Sequence, residues 1–419
     1  MNIRRLLVGS LALTLVVFTV IVGKPLAPSW ATFEDSPKHV VDEVWQVINH
    51  DYVDTGYNKH DWLETRREFL ARSYATPEEA YGAVREMLKE LNDPYTRFLA
   101  PKEYAALQVE TAGELSGVGL TVDIDKKTKE LMVLSPVADT PAYRAKLQPQ
   151  DIIQAIDGVP TKGVGVEESI SRIRGKVGTK VVLTVRRNEN TFEIPLIREV
   201  IPIRTVRSSI KKTQGKTIGY VALSQFTSNS AQEMREAIQG LIDKKVDGFV
   251  LDLRYNPGGV LGASTDIASI FLDKEVVVST ANRDGIVDEI RATGTRLTTK
   301  PVVILVNKGS ASASEILSGA LQDNNRAVLV GTTTFGKGLV QAVRQLSDQS
   351  GLTVTIAHYK TPAGKDIHKK GIKPDYFVDI PKKVLQTLTP ADLATTKDPQ
   401  YVKAASVLIQ RIAQAKSVS

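Results

Sequence analysis

The sequence predicts an α+β multidomain protein: a helical region first, a β-rich module second and an alternating α/β core third. Three observations carry that prediction. Apolar residues recur at helical spacing near the start, short β-like runs cut by glycine turns come next, and strand-like and helix-like stretches then alternate. The 419 residues suffice for more than one core, and 42% hydrophobic with 24% charged residues is a globular balance.

Residues 1–31 read as an export signal. Arg4 and Arg5 precede an apolar run from Leu6 to Val22, and Ser29-Trp30-Ala31 supplies a cleavage position. Cleavage after Ala31 is expected, although the run is long enough that an uncleaved anchor stays open. Residues 32–111 read helical. Val40, Val41, Val44 and Ile48 share one face; Tyr81, Val84, Leu88 and Leu91 share another, behind the start signal Thr76-Pro77-Glu78-Glu79. The segment NDPYTRFLAP, Asn92 to Pro101, breaks the helical pattern. Residues 112–200 carry GVGLTVDI, ELMVLSP, DIIQAIDG and KVVLTVRR, with turns at Asp157-Gly158 and Val177-Gly178 and a helical piece from Val166 to Ile173. Residues 201–382 alternate. TIGYVALSQF, GFVLDLR, PVVILVN and AVLVG read as strands, with helices over Gly262–Leu272 and Ser312–Leu321. Residues 383–419 show no strand signal, and Ala404, Leu408 and Ile412 suggest one helix.

Composition removes several functions. Net charge is +7, of which Arg4, Arg5 and Lys24 supply three, leaving +4 after cleavage. No basic stripe interleaves with aromatics, so nucleic acid is not an expected partner. With 0 cysteines there is neither a thiol nucleophile nor a cysteine metal site. His39, His50, His60, His358 and His368 show no pair at metal-ligand spacing. No metal and no cofactor is expected. Self-association and peripheral contact with a membrane stay open.

The segment GSASASEILSGAL, Gly309 to Leu321, sets three serines between a buried strand and a helix. A nucleophile placed there would meet the free N–H groups of the helix start. The same residues also read as a capping box, Ser312 with Glu315, which needs no catalysis. A serine nucleophile needs a base. His358 and His368 are not excluded by counting; lysine is the other option. A lysine of ordinary pKa is neutral in roughly one molecule in 2,000 at pH 7, so a lysine base must sit where burial lowers that pKa. TTTFGKGLVQAV, Thr332 to Val343, offers Lys337 between two glycines. On a strand from Leu339 to Leu346, Lys337 and Gln341 would share a face, and Gln341 could hold the amine without charging it. The run Gly331-x4-Gly336-Lys337 falls short of a phosphate loop, because Gly338 stands next where Ser or Thr is required. In LDLRYNPGG, Leu251 to Gly259, the N–H of Gly258 or Gly259 could be a second oxyanion donor. Gly117-Val118-Gly119-Leu120, backed by SPVADTPAYRAKLQPQDIIQAIDG, resembles the loop with which PDZ domains hold a peptide carboxylate.

Taken together, GELSGVGL, GYVALSQF, LDLRYNPGG, NKGSASASEILSGALQDNNRA and FGKGLVQ resemble the carboxyl-terminal processing proteases, serine peptidases with a Ser-Lys dyad, over residues 36 to 380. The resemblance implies a PDZ domain followed by a ββα-spiral core of crotonase and ClpP-like type. It implies Ser312 as nucleophile, Lys337 as general base and Gln341 as the residue orienting the lysine. It also implies Gly258 and Ala313 N–H groups as the oxyanion hole, and Glu315 and Asp323 as structural acids. The wording VVDEVWQVINHDYVD and GTTTFGKGLVQ looks closest to the cyanobacterial and plastid branch, which includes the protease that trims the photosystem II D1 precursor. The resemblance thus implies an exported endopeptidase, in the periplasm or thylakoid lumen, acting on protein substrates with a free C-terminal carboxylate. Two other readings remain beside it: a PDZ-bearing binding protein that does not cut, which intact Ser312, Lys337 and Gln341 argue against, and a crotonase-like acyl-CoA enzyme, which the export signal argues against.

Overall fold

In the computed structural model, residues 36–125, 127–285 and 287–418 are described; the expected export signal lies outside them. Helix α1 (Lys38–Asp51) forms where helical spacing places it and buries Val40, Val41, Val44, Trp45 and Ile48. α2 (Trp62–Ala71) starts at Asp61, whose carboxylate accepts the N–H groups of Leu63 and Glu64. α3 (Pro77–Lys89) starts at Thr76 with Pro77 in its first turn, where a missing N–H costs nothing. These helices meet on Trp45, Trp62, Phe69 and Met87. The NDPYTRFLAP break becomes a turn, a short strand β1 (Arg97–Leu99) and α4 (Pro101–Ala112), of which Tyr104 is the buried residue.

The chain next makes β2 (Glu114–Gly117), β3 (Leu120–Ile124), β4 (Leu131–Pro136), α5 (Pro141–Arg144), β5 (Ile152–Ile156), β6 (Val159–Pro160), α6 (Val166–Ile173), β7 (Lys180–Arg187), β8 (Asn190–Ile197) and β9 (Glu199–Pro202). Strand order is β3-β4-β5-β7-β8, with β6 on β5, and β2 pairs β9 where the chain enters and leaves the module. Its core, on Val118, Leu131, Ile153, Val181 and Leu183, is separate from the others. β3 is an edge strand, and α6 lies against it.

The last part holds β10 (Val206–Thr213), β11 (Lys216–Leu223), α7 (Ser230–Asp243), β12 (Gly248–Asp252), α8 (Leu261–Phe271), β13 (Val276–Asn282), β14 (Val287–Arg291), β15 (Val302–Val306), α9 (Ala313–Asp323), β16 (Ala327–Gly331), β17 (Leu339–Gln345), β18 (Gly351–Lys360), β19 (Tyr376–Phe377), α10 (Lys382–Thr387) and α11 (Pro399–Val418). The main sheet runs β10-β11-β12-β15-β16-β19, parallel from β11 onward. β12 and β15 are buried along their whole length, so they read as continuous apolar runs instead of alternating ones. α7, α8 and α9 cover one face, and α11 covers the other through Ala404, Leu408 and Ile412. α10 is an addition to the single tail helix expected.

The second sheet, β1-β18-β13-β14 with β17 on β18, ties the parts together. β18 gives Leu352 and Val354 to the core of the N-terminal helices and Tyr359 to the core beneath α8 and α9.

Candidate active site

Parallel strands release their loops at one end. The turns after β12, β15 and β16 therefore bring Asn256–Gly259, Gly309–Ser314 and Thr332–Lys337 together. The three serines separate by burial. Ser310 is fully buried; its Oγ donates to Leu253 O at 2.8 Å and accepts Asn307 N–H at 3.0 Å. Ser314 is fully buried and its Oγ donates to Asn256 O at 2.9 Å. Ser312, between these anchors, is half-buried and lines a cavity of about 710 Å³. Its backbone sits at φ 52, ψ −115, a strained conformation for a residue with a Cβ, worth about 1–3 kcal/mol.

Glu315 holds that geometry. Its fully buried carboxylate accepts Ser312 N–H (2.9 Å), Thr334 Oγ1 (2.5 Å), Gly336 N–H (2.7 Å) and Lys337 N–H (2.9 Å). Burial raises its pKa even so. The helix-cap role expected for Glu315 is thus part of a larger one: one carboxylate ties the backbone of Ser312 to that of Lys337. Asp323 is structural in the same sense. Its carboxylate accepts Ala363 N–H and pairs Lys365 at 2.6 Å.

Lys337 lines the same cavity as Ser312. Its Nζ lies 4.6 Å from the centre of the Tyr95 ring and makes no hydrogen bond or ion pair among the described residues. Burial lowers its pKa below the ordinary lysine value, and the Arg97 cation pushes the same way against Asp93 and Glu315. Gln341 also lines the cavity. Its strand begins at Leu339 as expected, and a register shift falls between Val340 and Gln341. Gln341 Nε2 points to Thr355 Oγ1, at 3.4 Å, and Thr355 Oγ1 donates to Asp93.

The glycine donors differ from expectation in one respect. Gly258 N–H donates to Asn256 Oδ1 at 2.9 Å, an Asx turn that occupies it. Gly259 is the glycine that lines the cavity, and among the described residues its N–H and that of Ala313 have no carbonyl acceptor. Gly258 must still be glycine: at φ 102, a Cβ would lie 2.7 Å from Ala311 O and 2.9 Å from Ser312 Cβ.

In the β-rich module, Val118 is buried and its carbonyl accepts Ala142 N–H. Gly119 sits at φ 76 against Thr140, where a Cβ would come within 2.3 Å. Among the described residues, the N–H groups of Val118 and Gly119 have no carbonyl acceptor; β2 ends at Gly117 and Leu120 opens the edge strand β3. A loop of unoccupied N–H groups beside an open strand edge suits a peptide terminus.

His358 and His368 stack edge to face, with centroids 6.3 Å apart, and neither lines the Ser312 cavity. Sequence reasoning missed several residues that shape the site. Asn256 holds Gly258, and its Nδ2 donates to Leu223 O at 2.9 Å. Behind it, buried Arg254 pairs Asp252 at 2.6 Å and Asp398 at 2.8 Å. Arg97 and Tyr95 flank the lysine. Of these, only Asn256 carried a local signal, the Asn-Pro-Gly turn.

Comparisons with known proteins place the chain in a family. Peptidase family S41 matches residues 217–378, and the PDZ domain matches residues 106–186. A carboxyl-terminal-processing protease of Synechocystis is 42% identical over 395 residues, covering 94% of this chain and 91% of its own length. Carboxyl-terminal-processing peptidase 2 of Arabidopsis thaliana, a chloroplastic protein, is 38% identical and covers 90% of this chain and 75% of its own. The solved structure of a photosystem II D1 C-terminal processing protease superposes with a TM-score of 0.56 at 35% identity, covering 88% of this chain and 98% of that one.

Proposed function

The chain belongs to the carboxyl-terminal processing proteases, serine peptidases of family S41 with a PDZ domain, and on that premise we propose that Ser312 is its nucleophile and Lys337 its general base. One observation carries the assignment. Of the three serines, Ser312 is the one that reaches the cavity, and the cavity also holds a lysine with a lowered pKa and no ion-pair partner.

In this reading neutral Lys337 Nζ takes the Ser312 Oγ proton as Oγ bonds to the scissile carbonyl carbon. The oxyanion forms beside Ala313 N–H at the helix start, with Gly259 N–H as the second donor in place of the occupied Gly258. Collapse breaks the C–N bond, and the leaving amine receives the proton from Lys337. Water, losing a proton to Lys337, then attacks the ester; the acid product leaves and Ser312 regains its hydrogen. Glu315 and Gln341 are positioning residues.

The substrate presents its α-carboxylate to the N–H groups of the Gly117–Leu120 loop and its tail to the cavity. The relatives support one candidate substrate, the photosystem II D1 precursor, and an exported location in the periplasm or thylakoid lumen. No helix of the described residues is long and apolar enough to cross a membrane. The test is to incubate a protein carrying a D1-type tail with the enzyme and with Ser312→Ala, and to read C-termini by mass spectrometry. A truncated product made only by the unaltered enzyme is expected. Equal cleavage by Ser312→Ala would overturn the assignment.

A further inference from the structure

At the opposite end of the main sheet from Ser312, before β15 and β16 begin, lies a second cavity of about 620 Å³. Thr299, Pro301, Asn325, Arg326, Arg411, Gln414 and Ala415 line it. Strands of five residues separate it from the active-site loops, roughly 17 Å.

Its chemistry is one-sided. The Arg326 Nε donates to Phe271 O, and Nη2 donates to Thr298 O and Lys300 O, each at 2.9 Å. Among the described residues, Nη1 has no partner and no carboxylate pairs the group. Burial, Arg296 and Arg411 together push its pKa down to about 10. Arg411, on α11, has a buried Nε without a hydrogen-bond partner. The acid that faces Arg326 is Glu275, whose carboxylate is already engaged by the N–H groups of Asp273 and Lys274. The three carbonyls explain why Arg326 is held in place. They do not explain why a second guanidinium, that of Arg411, lines the same cavity, since like charges brought together near a protein interior repel.

We propose that Arg326 and Arg411 form a binding site for a tetrahedral oxyanion, a phosphate or sulfate group, either free in solution or as the headgroup of an anionic lipid. Guanidinium forks match such oxygens in geometry as well as charge. The unpartnered Nη1 of Arg326 and the terminal nitrogens of Arg411, which lines the same cavity, are the donors that the group would satisfy. The site does not depend on the catalytic assignment, and its occupancy leaves Ser312 untouched.

The test titrates inorganic phosphate into the full chain in a chloride buffer, by calorimetry and by thermal melting. Arg411→Gln is the main variant, because this side chain makes no hydrogen bond that folding needs. Phosphate should bind the unaltered chain one to one and raise its Tm by about 2–5 °C at saturation. Arg411→Gln should bind at least tenfold more weakly, with an unchanged Tm in chloride and unchanged cleavage of a short peptide. Arg326→Gln, if it folds, should abolish binding. Flotation with phosphatidylcholine vesicles, with and without phosphatidylglycerol, separates the sources; the N-terminal run and its flanking Arg4 and Arg5 are the same in the unaltered chain and in Arg411→Gln, so they cancel between the two proteins. Phosphatidylglycerol-dependent binding that falls at least fivefold in Arg411→Gln identifies the headgroup. Phosphate binding without that lipid dependence identifies the free anion. If the two proteins show no difference in either assay, the site does not exist.

Discussion

Replacing Glu315 by Gln removes one charge and one acceptor from the point where the two loops of the site meet. The carboxylate takes four donors, two of them the N–H groups of Ser312 and Lys337 on Oε2. An amide presents its carbonyl to one pair and its NH2 to the other; the NH2 always meets an N–H it cannot bond, while the Thr334 hydroxyl can turn to accept from it, so one or two of the four bonds are lost. Hydrogen bonds to a charged group contribute about 1.5–3 kcal/mol each, which places the loss at about 1.5–6 kcal/mol before relaxation. Tm should fall by roughly 3–24 °C, at about 2–4 °C per kcal/mol for a domain of this size. Loss of the charge weakens the hold on Ser312 N–H in either orientation, which lets the strained φ 52 backbone relax, and a misplacement of about 1 Å at a reacting atom costs on the order of 100-fold. The assay is steady-state cleavage of a short chromogenic peptide, well below the variant's Tm. We expect kcat to fall about 100-fold with KM changed less than threefold, and the pH profile to keep its shape. A folded Glu315→Gln enzyme with kcat within threefold of the original would mean that the carboxylate does not hold the two loops in register.

Lys337→Arg should be as inactive as Lys337→Ala in the same peptide assay, because a guanidinium does not give up its proton at usable pH; cleavage by the arginine variant above a few percent would mean another base. Cleavage should rise with pH as Lys337 loses its proton, and Arg97→Gln removes a cation that favours the neutral amine. The acid limb of kcat/KM should therefore move to higher pH in Arg97→Gln, and a shift the other way would show that Arg97 does not act on Lys337. Amidating a substrate's C-terminus should slow its cleavage by about one to two orders of magnitude, since the loop at Gly117–Leu120 then loses a charged acceptor; equal rates would remove tail recognition.

Legibility in the sequence tracked distance along the chain. β12 and β15 announced themselves because strands buried on both faces must be apolar throughout. The helix after Ser312 and the glycine turns were likewise local. Three serines spaced by single alanines could not be assigned by pattern alone. Their difference lies in what each Oγ faces, and Leu253 O and Asn256 O, which hold Ser310 and Ser314, come from the turn after β12, more than fifty residues away. Resemblance to a family pointed to Ser312; the pattern alone did not. Glu315 looked like a cap because its bond to Ser312 is local, whereas those to Thr334, Gly336 and Lys337 cross about twenty residues. Arg97 stands beside Lys337 from 240 positions earlier, and no periodicity reports that. Gly258 shows the opposite failure: the Asn-Pro-Gly turn was readable, and its consequence, an N–H already spent on Asn256, was not drawn from it.

β18 serves two masters along its ten residues, and that sets how the molecule comes apart. Leu352 and Val354 are part of the N-terminal helices' interior, while Tyr359 is part of the interior beneath α8 and α9. A strand cannot melt at one end and stay zipped to β1, β13 and β17 at the other without breaking the ladders it shares. The helical opening of the chain and the peptidase core are therefore one cooperative unit, and the change of sequence texture near residue 111 is not a seam between folding units. The β-rich module between them closes on its own interior and joins the rest through the β2–β9 ribbon. In a calorimeter the molecule should show two transitions, and the smaller should belong to that inserted module.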